Sequence, residues 1–241
     1  MANSIIVEGV SKQYGDFWAL NNVSLEVERG EFYGCFGPNG AGKSTLIKIL
    51  TGQLEPTKGN VTVLGIDARK EPIELKKKIG IVPESETPPS FLTGYEYLYF
   101  VCRIRELQSI DEKVSKWIRF FDLDEKKDAL CKDMSKGMRQ KLMLAAAFIH
   151  SPELLFLDEP FINLDPIYQK RLREYLTEYV KDGGTIFMCS HILEIAEKLC
   201  SKIAVLDKGK ILAKGKINEL REKNENLEAI FMRLVEEKNR V

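Results

Sequence analysis

The apolar residues come first in short runs separated by turn-formers. Residues 5–7, 23–27 and 32–36 are rich in Val, Ile and Phe and are divided by Gly, Asp and Asn, which predicts three strands. Residues 45–50 read as a helix, and 61–64 and 79–82 return to strand character. Pro88 and Pro89 then break the pattern. From about residue 93 to 150 there is no convincing strand, and residues 94–106, 111–121 and 137–150 read as helices. Strand character resumes at 154–157, 185–188 and 203–206. Leu227, Ile230, Phe231, Leu234 and Val235 recur at helical spacing and predict a C-terminal helix packed on the chain's own core. The pattern is that of an α/β core interrupted by a helical insertion, with no internal repeat or long linker.

Composition sharpens this picture in three places. A chain of 241 residues with 44% hydrophobic content is large enough for one α/β domain with a real core. Its 36 basic and 36 acidic residues cancel, so no global field draws it to nucleic acid or an anionic membrane. The five cysteines (Cys35, Cys102, Cys131, Cys189 and Cys200) form no C-x-x-C pair or metal-ligand spacing, which predicts reduced core thiols in a cytosolic protein. The start of the chain has no basic segment leading into an apolar one, so no signal peptide is expected. No apolar run approaches the roughly 20 residues that span a bilayer, so a membrane role requires a partner chain.

The strongest chemical signal is Gly37, Pro38, Asn39, Gly40, Ala41, Gly42, Lys43 and Ser44, which fits G-x-x-x-x-G-K-[ST] with no gap. The glycines let backbone N–H groups approach phosphate oxygens. Lys43 reaches the terminal phosphates, and the Ser44 hydroxyl is placed to ligate Mg²⁺. A strand precedes the loop and a helix follows it, aiming its positive N-terminal end at the anion. The pattern specifies a nucleoside triphosphate without saying which one.

Four apolar residues, 154–157, end at Asp158 and Glu159. A buried parallel strand ending in two acids suits a phosphate site, with Asp158 facing Mg²⁺ and Glu159 turned elsewhere to orient or deprotonate water. Asp165 and Pro166 are a helix N-cap and first helical residue, which explains both without a function. His191 ends a core strand, where its imidazole can reach a terminal phosphate. His150 reads as a structural histidine in the last turn of a helix. Ser135 is a plausible N-cap and Gly137 permits close backbone approach, so this helix start forms a second anion site separate from the first.

In this order the elements resemble the ATP-binding cassette (ABC) family of transport ATPases over essentially the whole chain. The resemblance covers the Walker A loop from Gly37 to Thr45, the Walker B strand ending at Asp158 with the catalytic Glu159, the D-loop Asn163, Leu164 and Asp165, and the switch histidine His191. It places the adenine-stacking aromatic at Tyr14. Two motifs depart from the family pattern. The usual Leu-Ser-Gly-Gly-Gln reads Met134, Ser135, Lys136, Gly137, Met138, and the Q-loop glutamine is Glu84. Glu84 can still face Mg²⁺, but it brings negative charge and cannot donate a hydrogen bond when ionised. Both variations are similar to cassettes of bacterial type-2 exporters.

The resemblance implies an α/β P-loop NTPase core with an antiparallel β subdomain and an inserted α-helical subdomain. The core would comprise residues 1–88 and 151–241, and the helical subdomain 89–150. It implies ATP and Mg²⁺ as ligands, a second ATP-binding subunit facing the first head to tail, and an integral membrane permease. Each ATP would lie between Lys43 and Ser44 of one chain and Ser135 and Gly137 of the other. The expected location is cytoplasmic, peripheral on the inner face of the membrane. Residues 81–92 would form the lever toward the permease, with Phe91 a candidate contact. A rival reading is an ATP-driven switch acting on ribosomes or DNA. The absence of a long coiled-coil insertion, the single cassette and the zero net charge argue against it. No Asn-Lys-x-Asp motif supports a GTP switch.

Overall fold

A computed structural model describes residues 3–85, 87–221 and 226–239, the side chains of Ala196 and of residues 234–239 excepted. Two sheets enclose one helix. The first sheet contains β1 (Asn3–Tyr14), β2 (Phe17–Glu28), β4 (Lys58–Val63) and β5 (Ile66–Asp67), in the order β2-β1-β4-β5 and antiparallel throughout. The second contains β3 (Phe32–Phe36), β6 (Ile79–Val82), β7 (Leu154–Asp158), β8 (Thr185–Ser190), β9 (Lys202–Asp207) and β10 (Lys210–Lys216), in the order β10-β9-β3-β8-β7-β6. Its strands run parallel except β10, which pairs antiparallel to β9.

The near-continuous apolar runs of the central strands follow from burial on both faces. Alternate residues serve different cores. Tyr33, Cys35, Phe156, Phe187 and Cys189 pack with α1 (Lys43–Leu50) and with Ile5, Val7 and Leu25 of the antiparallel sheet. Phe36, Leu155, Leu157, Ile186 and Met188 face the opposite side. There they meet residues of α3 (Gly94–Ile104), α4 (Ile110–Phe120), α5 (Lys136–Phe148) and α6 (Pro166–Lys181). Trp117 of α4 stands at the centre of an aromatic group, with Phe120, Phe121, Phe148 and Tyr175 rings 5.3–6.2 Å from its own. This binds α4, α5 and α6 into one layer. Thr93 and Glu96 form a reciprocal capping box that starts α3.

Several elements differ from the expectations. β1 runs through Tyr14 because its pairing to β2 continues to the Tyr14–Phe17 pair, past the point, Ser11, where pairing to β4 ends. The helix expected at 137–150 ends at Phe148. In the segment expected to lack strand, an isolated antiparallel bridge joins Thr93 to Leu130. α2 (Pro72–Lys78), α7 (Leu193–Leu199), α8 (Ile217–Leu220) and β10 have no counterpart in the apolar pattern. In the C-terminal helix α9 (Leu227–Asn239), Leu227 and Ile230 are buried in the core, while Leu234 and Val235 lie outside the described side chains. All five cysteines are free and buried.

His150 corrects the expectation of a histidine in a last helical turn. It lies two residues past α5, and its Nε2 is 3.0 Å from the Ile79 carbonyl oxygen, so Nε2 carries the proton and donates. Nδ1 is buried without a partner. Burial first, and the Arg105 charge second, lower the imidazole pKa from 6.5 to about 4, against the opposing Ile79 hydrogen bond. The ring therefore folds neutral. The unfolded chain takes up this proton as pH falls through 6.5 and the folded chain only near 4, so stability present above pH 6.5 is lost across that window. His150→Gln, which keeps a donor for Ile79, is expected to remove up to about 3 kcal/mol of the acid-induced loss. Urea unfolding at neutral and acidic pH measures it, and an unchanged difference between the two refutes it.

Candidate functional site

The phosphate loop bridges the end of β3 and the start of α1. Its base is fixed by close packing: a Cβ on Gly37 would lie 2.0 Å from the Leu206 carbonyl oxygen. Gly42 caps α1 at φ 107, in the left-handed region that glycine adopts readily. No side chain caps α1, so its first N–H groups are left for a ligand. Ala41 is tied down on both sides, its N–H donating to Pro38 O at 3.1 Å and its carbonyl accepting from Gly209 N at 2.9 Å. The buried Lys43 ammonium donates to Gly37 O at 2.8 Å and Pro38 O at 3.1 Å, folded over the loop.

Above the loop lies a cavity of about 330 Å³. Of the residues expected at the site, Tyr14, Asn39, Gly40, Gly42, Lys43, Ser44, Thr45 and Glu84 line it. Phe17 lines it too, and the sequence reading missed it. Gly15 and Asp16 turn the chain between β1 and β2 so that Tyr14 pairs with Phe17, which brings both exposed rings to the cavity mouth. The Gly-Asp pair between two strand patterns was the available signal.

Asp158 stands behind the loop at the end of β7. Its Oδ1 is buried with no hydrogen-bond partner. Burial, reinforced by the nearby Glu84 and Glu159 charges, pushes its carboxyl up to about 6, while a hydrogen bond from Ser44 and the Lys43 charge oppose the shift. The single Ser44 hydroxyl hydrogen is shared between Asp158 and Glu84 Oε2, the latter 3.2 Å away. The Ser44 hydroxyl and the Glu84 carboxylate, both lining the cavity, thus stand in front of the buried Asp158 carboxyl, which lies behind them. This is a hard oxygen set suited to Mg²⁺, which takes few protein ligands and completes its shell with phosphate and water. Among the described residues no group of three His, Cys, Asp or Glu side chains forms a metal cage by itself.

Glu159 follows with φ 52. Its N–H donates to Cys189 O at 2.9 Å, pinning the turn to β8. The carboxylate is 4% exposed and has a partner on each oxygen: the Ser190 hydroxyl donates to Oε2 at 2.9 Å, and His191 Nδ1 lies 2.8 Å from Oε1. A carboxylate here only accepts, so His191 Nδ1 carries hydrogen, and the ring is half exposed. Ser190 is the second residue the sequence left without a role.

The helix start expected to form a second anion site is separate from this cavity. Ser135 caps α5 by accepting from Met138 N at 3.2 Å, and its own O–H remains a donor. A Cβ on Gly137 would stand 2.7 Å from Asn163 O, so the helix start presses on the loop that leads to α6. Neither Ser135 nor Gly137 lines the cavity over the phosphate loop.

Comparison with known proteins places these features in context. The model of the family described as "ABC transporter" matches residues 20–162. Nod factor export ATP-binding protein I of Rhizobium meliloti (strain 1021) is 37% identical over 218 residues, 88% of this chain and 64% of that protein. This chain therefore spans somewhat under two thirds of that relative's length. The bacitracin transport ATP-binding protein BcrA of Enterococcus faecalis is 37% identical over 221 residues, 91% of this chain and 71% of BcrA. A solved structure described as an ATP binding subunit of an ABC transporter superposes with a TM-score of 0.89 at 31% identity, covering 96% of this chain and 99% of that one.

Proposed function

Because this chain belongs to the ABC transporter family, we propose that it binds and hydrolyses ATP, working as a pair, to power a membrane exporter. The observation that carries the reading is the buried, unpartnered Oδ1 of Asp158 beside Ser44 and Glu84, behind an intact phosphate loop. Leaving a buried acceptor unmet costs about 1–3 kcal/mol, which a cation at this corner would recover. Ser44 and Asp158, with Glu84, are the residues that would hold Mg²⁺, which would supply positive charge to the phosphates.

The chain's own groups account for the rest of the chemistry. Phosphoryl transfer needs positioning and charge stabilisation more than covalent help. The N–H groups of Asn39, Gly40, Gly42, Lys43, Ser44 and Thr45, which line the cavity at the uncapped start of α1, hold the phosphates. Lys43 exchanges its two loop carbonyls for phosphate oxygens. Tyr14 offers its ring to the adenine. Glu159, oriented by Ser190, accepts a proton from the attacking water, and His191 turns its free edge toward the terminal phosphate. Ser135 and Gly137 complete the site of a second molecule, since they do not reach the cavity of their own.

The names of the two relatives concern export of Nod factor and transport of bacitracin, which supports an exporter over a ribosome or DNA switch. No helix among the described residues is long and apolar enough to cross a membrane. We assign the chain to the cytoplasmic face, held there by a permease. We treat 89–150 as the helical subdomain and the remainder as the core. Phe91, Phe100 and Ile104, in and beside α3, and Ile73 on α2 are exposed apolar side chains, and we assign them to the permease contact. Arg105 ties the two helices by donating to Lys76 O at 2.9 Å.

The test is co-purification from detergent-extracted membranes. The chain is expected to bring down a polytopic membrane protein and to show Mg²⁺-dependent phosphate release. Phe91→Glu is expected to weaken the association by about tenfold or more and leave ATP binding by the isolated chain unchanged. Recovery with ribosomes or DNA in place of a membrane protein overturns the reading.

A further inference from the structure

Lys141, on α5, is buried, and its ammonium stands 3.0 Å from the centroid of the Tyr168 ring in the first turn of α6. The Arg171 guanidinium lies 5.0 Å from the same centroid. The Tyr168 hydroxyl donates to Asp122 Oδ2 at 2.8 Å, and Arg171 donates to that oxygen at 3.0 Å and bonds the Phe120 carbonyl oxygen. The ring is thus held by two cations and a hydrogen-bonded hydroxyl. Burying an ammonium is unfavourable unless it is compensated, and an aromatic face supplies that compensation.

The stack sits where two functional segments meet. The loop from Glu159 to Asp165 runs between the ends of β7 and α6, and its carbonyls are held from both helices. Gln140, beside Lys141 on α5, donates to Pro160 O at 3.2 Å. Gln169, beside Tyr168 on α6, donates to Phe161 O at 3.3 Å and Leu164 O at 3.1 Å. Asn163, at φ 63, presents its carbonyl to Gly137. The spacing of α5 and α6 at the Lys141–Tyr168 contact therefore sets how the loop lies against the start of α5.

We propose that the Lys141–Tyr168 stack is a positioning device that makes the start of α5 and the 159–165 loop one body. This rests on the reading in which Ser135 and Gly137 contact the ATP of a partner subunit. Within one chain, the start of α5 then serves one ATP and Glu159 the other. A rigid connection between them passes engagement at one site to the glutamate of the second, which is a coupling between sites. A loosened connection leaves each site able to bind ATP but poorly synchronised in hydrolysis.

The experiment compares Lys141→Met, Lys141→Arg, Tyr168→Leu and Tyr168→Phe in the full chain. It reads phosphate release against ATP concentration and against protein concentration, and affinity for a fluorescent ATP analogue at dilutions that keep the chain monomeric. Lys141→Met and Tyr168→Leu are expected to lower kcat about tenfold and bring the Hill coefficient from about 2 toward about 1, with monomer affinity unchanged. Lys141→Arg and Tyr168→Phe keep the cation and the ring, and are expected to retain wild-type kcat and cooperativity, which also shows that the chain tolerates change at both positions. If Tyr168→Phe is as damaging as Tyr168→Leu, the hydroxyl and not the ring is responsible and the proposal fails. If the wild-type rate per molecule depends on protein concentration but the Met and Leu variants match it, the proposal alone fails. A wild-type rate per molecule independent of protein concentration defeats the composite site, and the proposal with it.

Discussion

Glu159→Gln is expected to leave ATP affinity near the wild-type value while steady-state turnover falls by about two to three orders of magnitude, equivalent to roughly 3–4 kcal/mol of barrier. Binding survives because Glu159 is not among the cavity-lining residues that meet the nucleotide. Turnover falls because an amide takes no proton from water. The geometry adds a second effect. Glu159 uses one oxygen for Ser190 and the other for His191 Nδ1. A glutamine offers one acceptor and one donor, so one of these contacts must turn donor against donor or reverse its partner. With hydrolysis blocked, the ATP-bound pair is expected to persist. Phosphate release under multiple-turnover conditions and size-exclusion chromatography with Mg²⁺ and ATP read the two consequences. Wild-type turnover in this variant sinks the catalytic assignment.

The parts of this site legible in the sequence are those carried by local spacing. Gly37 to Ser44 form one continuous stretch between a strand and a helix, so the loop, Lys43 and the Ser44 hydroxyl could be placed without any tertiary information. Asp158 and Glu159 were equally readable, because four apolar residues ending in two acids describe a strand end in a central parallel sheet. What the sequence lacked was strand order. Asp158 pairs with Cys189 in the β7–β8 register, and only that adjacency puts Ser190 and His191 beside Glu159. Phe17 was hidden for a similar reason, since its partnership with Tyr14 is a property of the hairpin and not of either residue.

The missed elements have low pattern contrast. β10 reads Lys-Ile-Leu-Ala-Lys-Gly-Lys and is half exposed, held at the sheet edge by pairing to β9 alone. α2 is seven residues with three lysines and one buried leucine, below the length at which helical periodicity is visible. His150 shows a different failure. The end of a helix favours a charged imidazole, but here desolvation and Arg105 outweigh it and keep the ring neutral. Lys141 was invisible because nothing in a sequence announces that a lysine within an apolar helix will rest on a tyrosine 27 positions away.

Ser135→Arg bears on whether the site is shared. Within one chain Ser135 caps α5 through the Met138 N–H and does not line the nucleotide cavity. If the site is complete in a monomer, an arginine here should cost no more than a lost cap, about 1 kcal/mol of helix stability, and leave hydrolysis intact. If the α5 start serves a partner's ATP, the arginine puts a long side chain where the nucleotide must close against the helix, and it removes the hydroxyl donor. ATP affinity of the dilute monomer is then expected to stay within about twofold of wild type, because Lys43, Ser44 and Tyr14 are untouched. Hydrolysis is expected to fall by about two orders of magnitude or more, through loss of the closed pair and its electrostatic contribution. The Glu159→Gln variant separates the two cases further. Adding Ser135→Arg to it should abolish the persistent ATP-bound dimer, since a dimer trapped by slow hydrolysis cannot form when the opposing helix cannot close. A double variant that still dimerises with ATP, or a single variant that hydrolyses ATP at the wild-type rate, would show that α5 and the phosphate loop do not share a nucleotide.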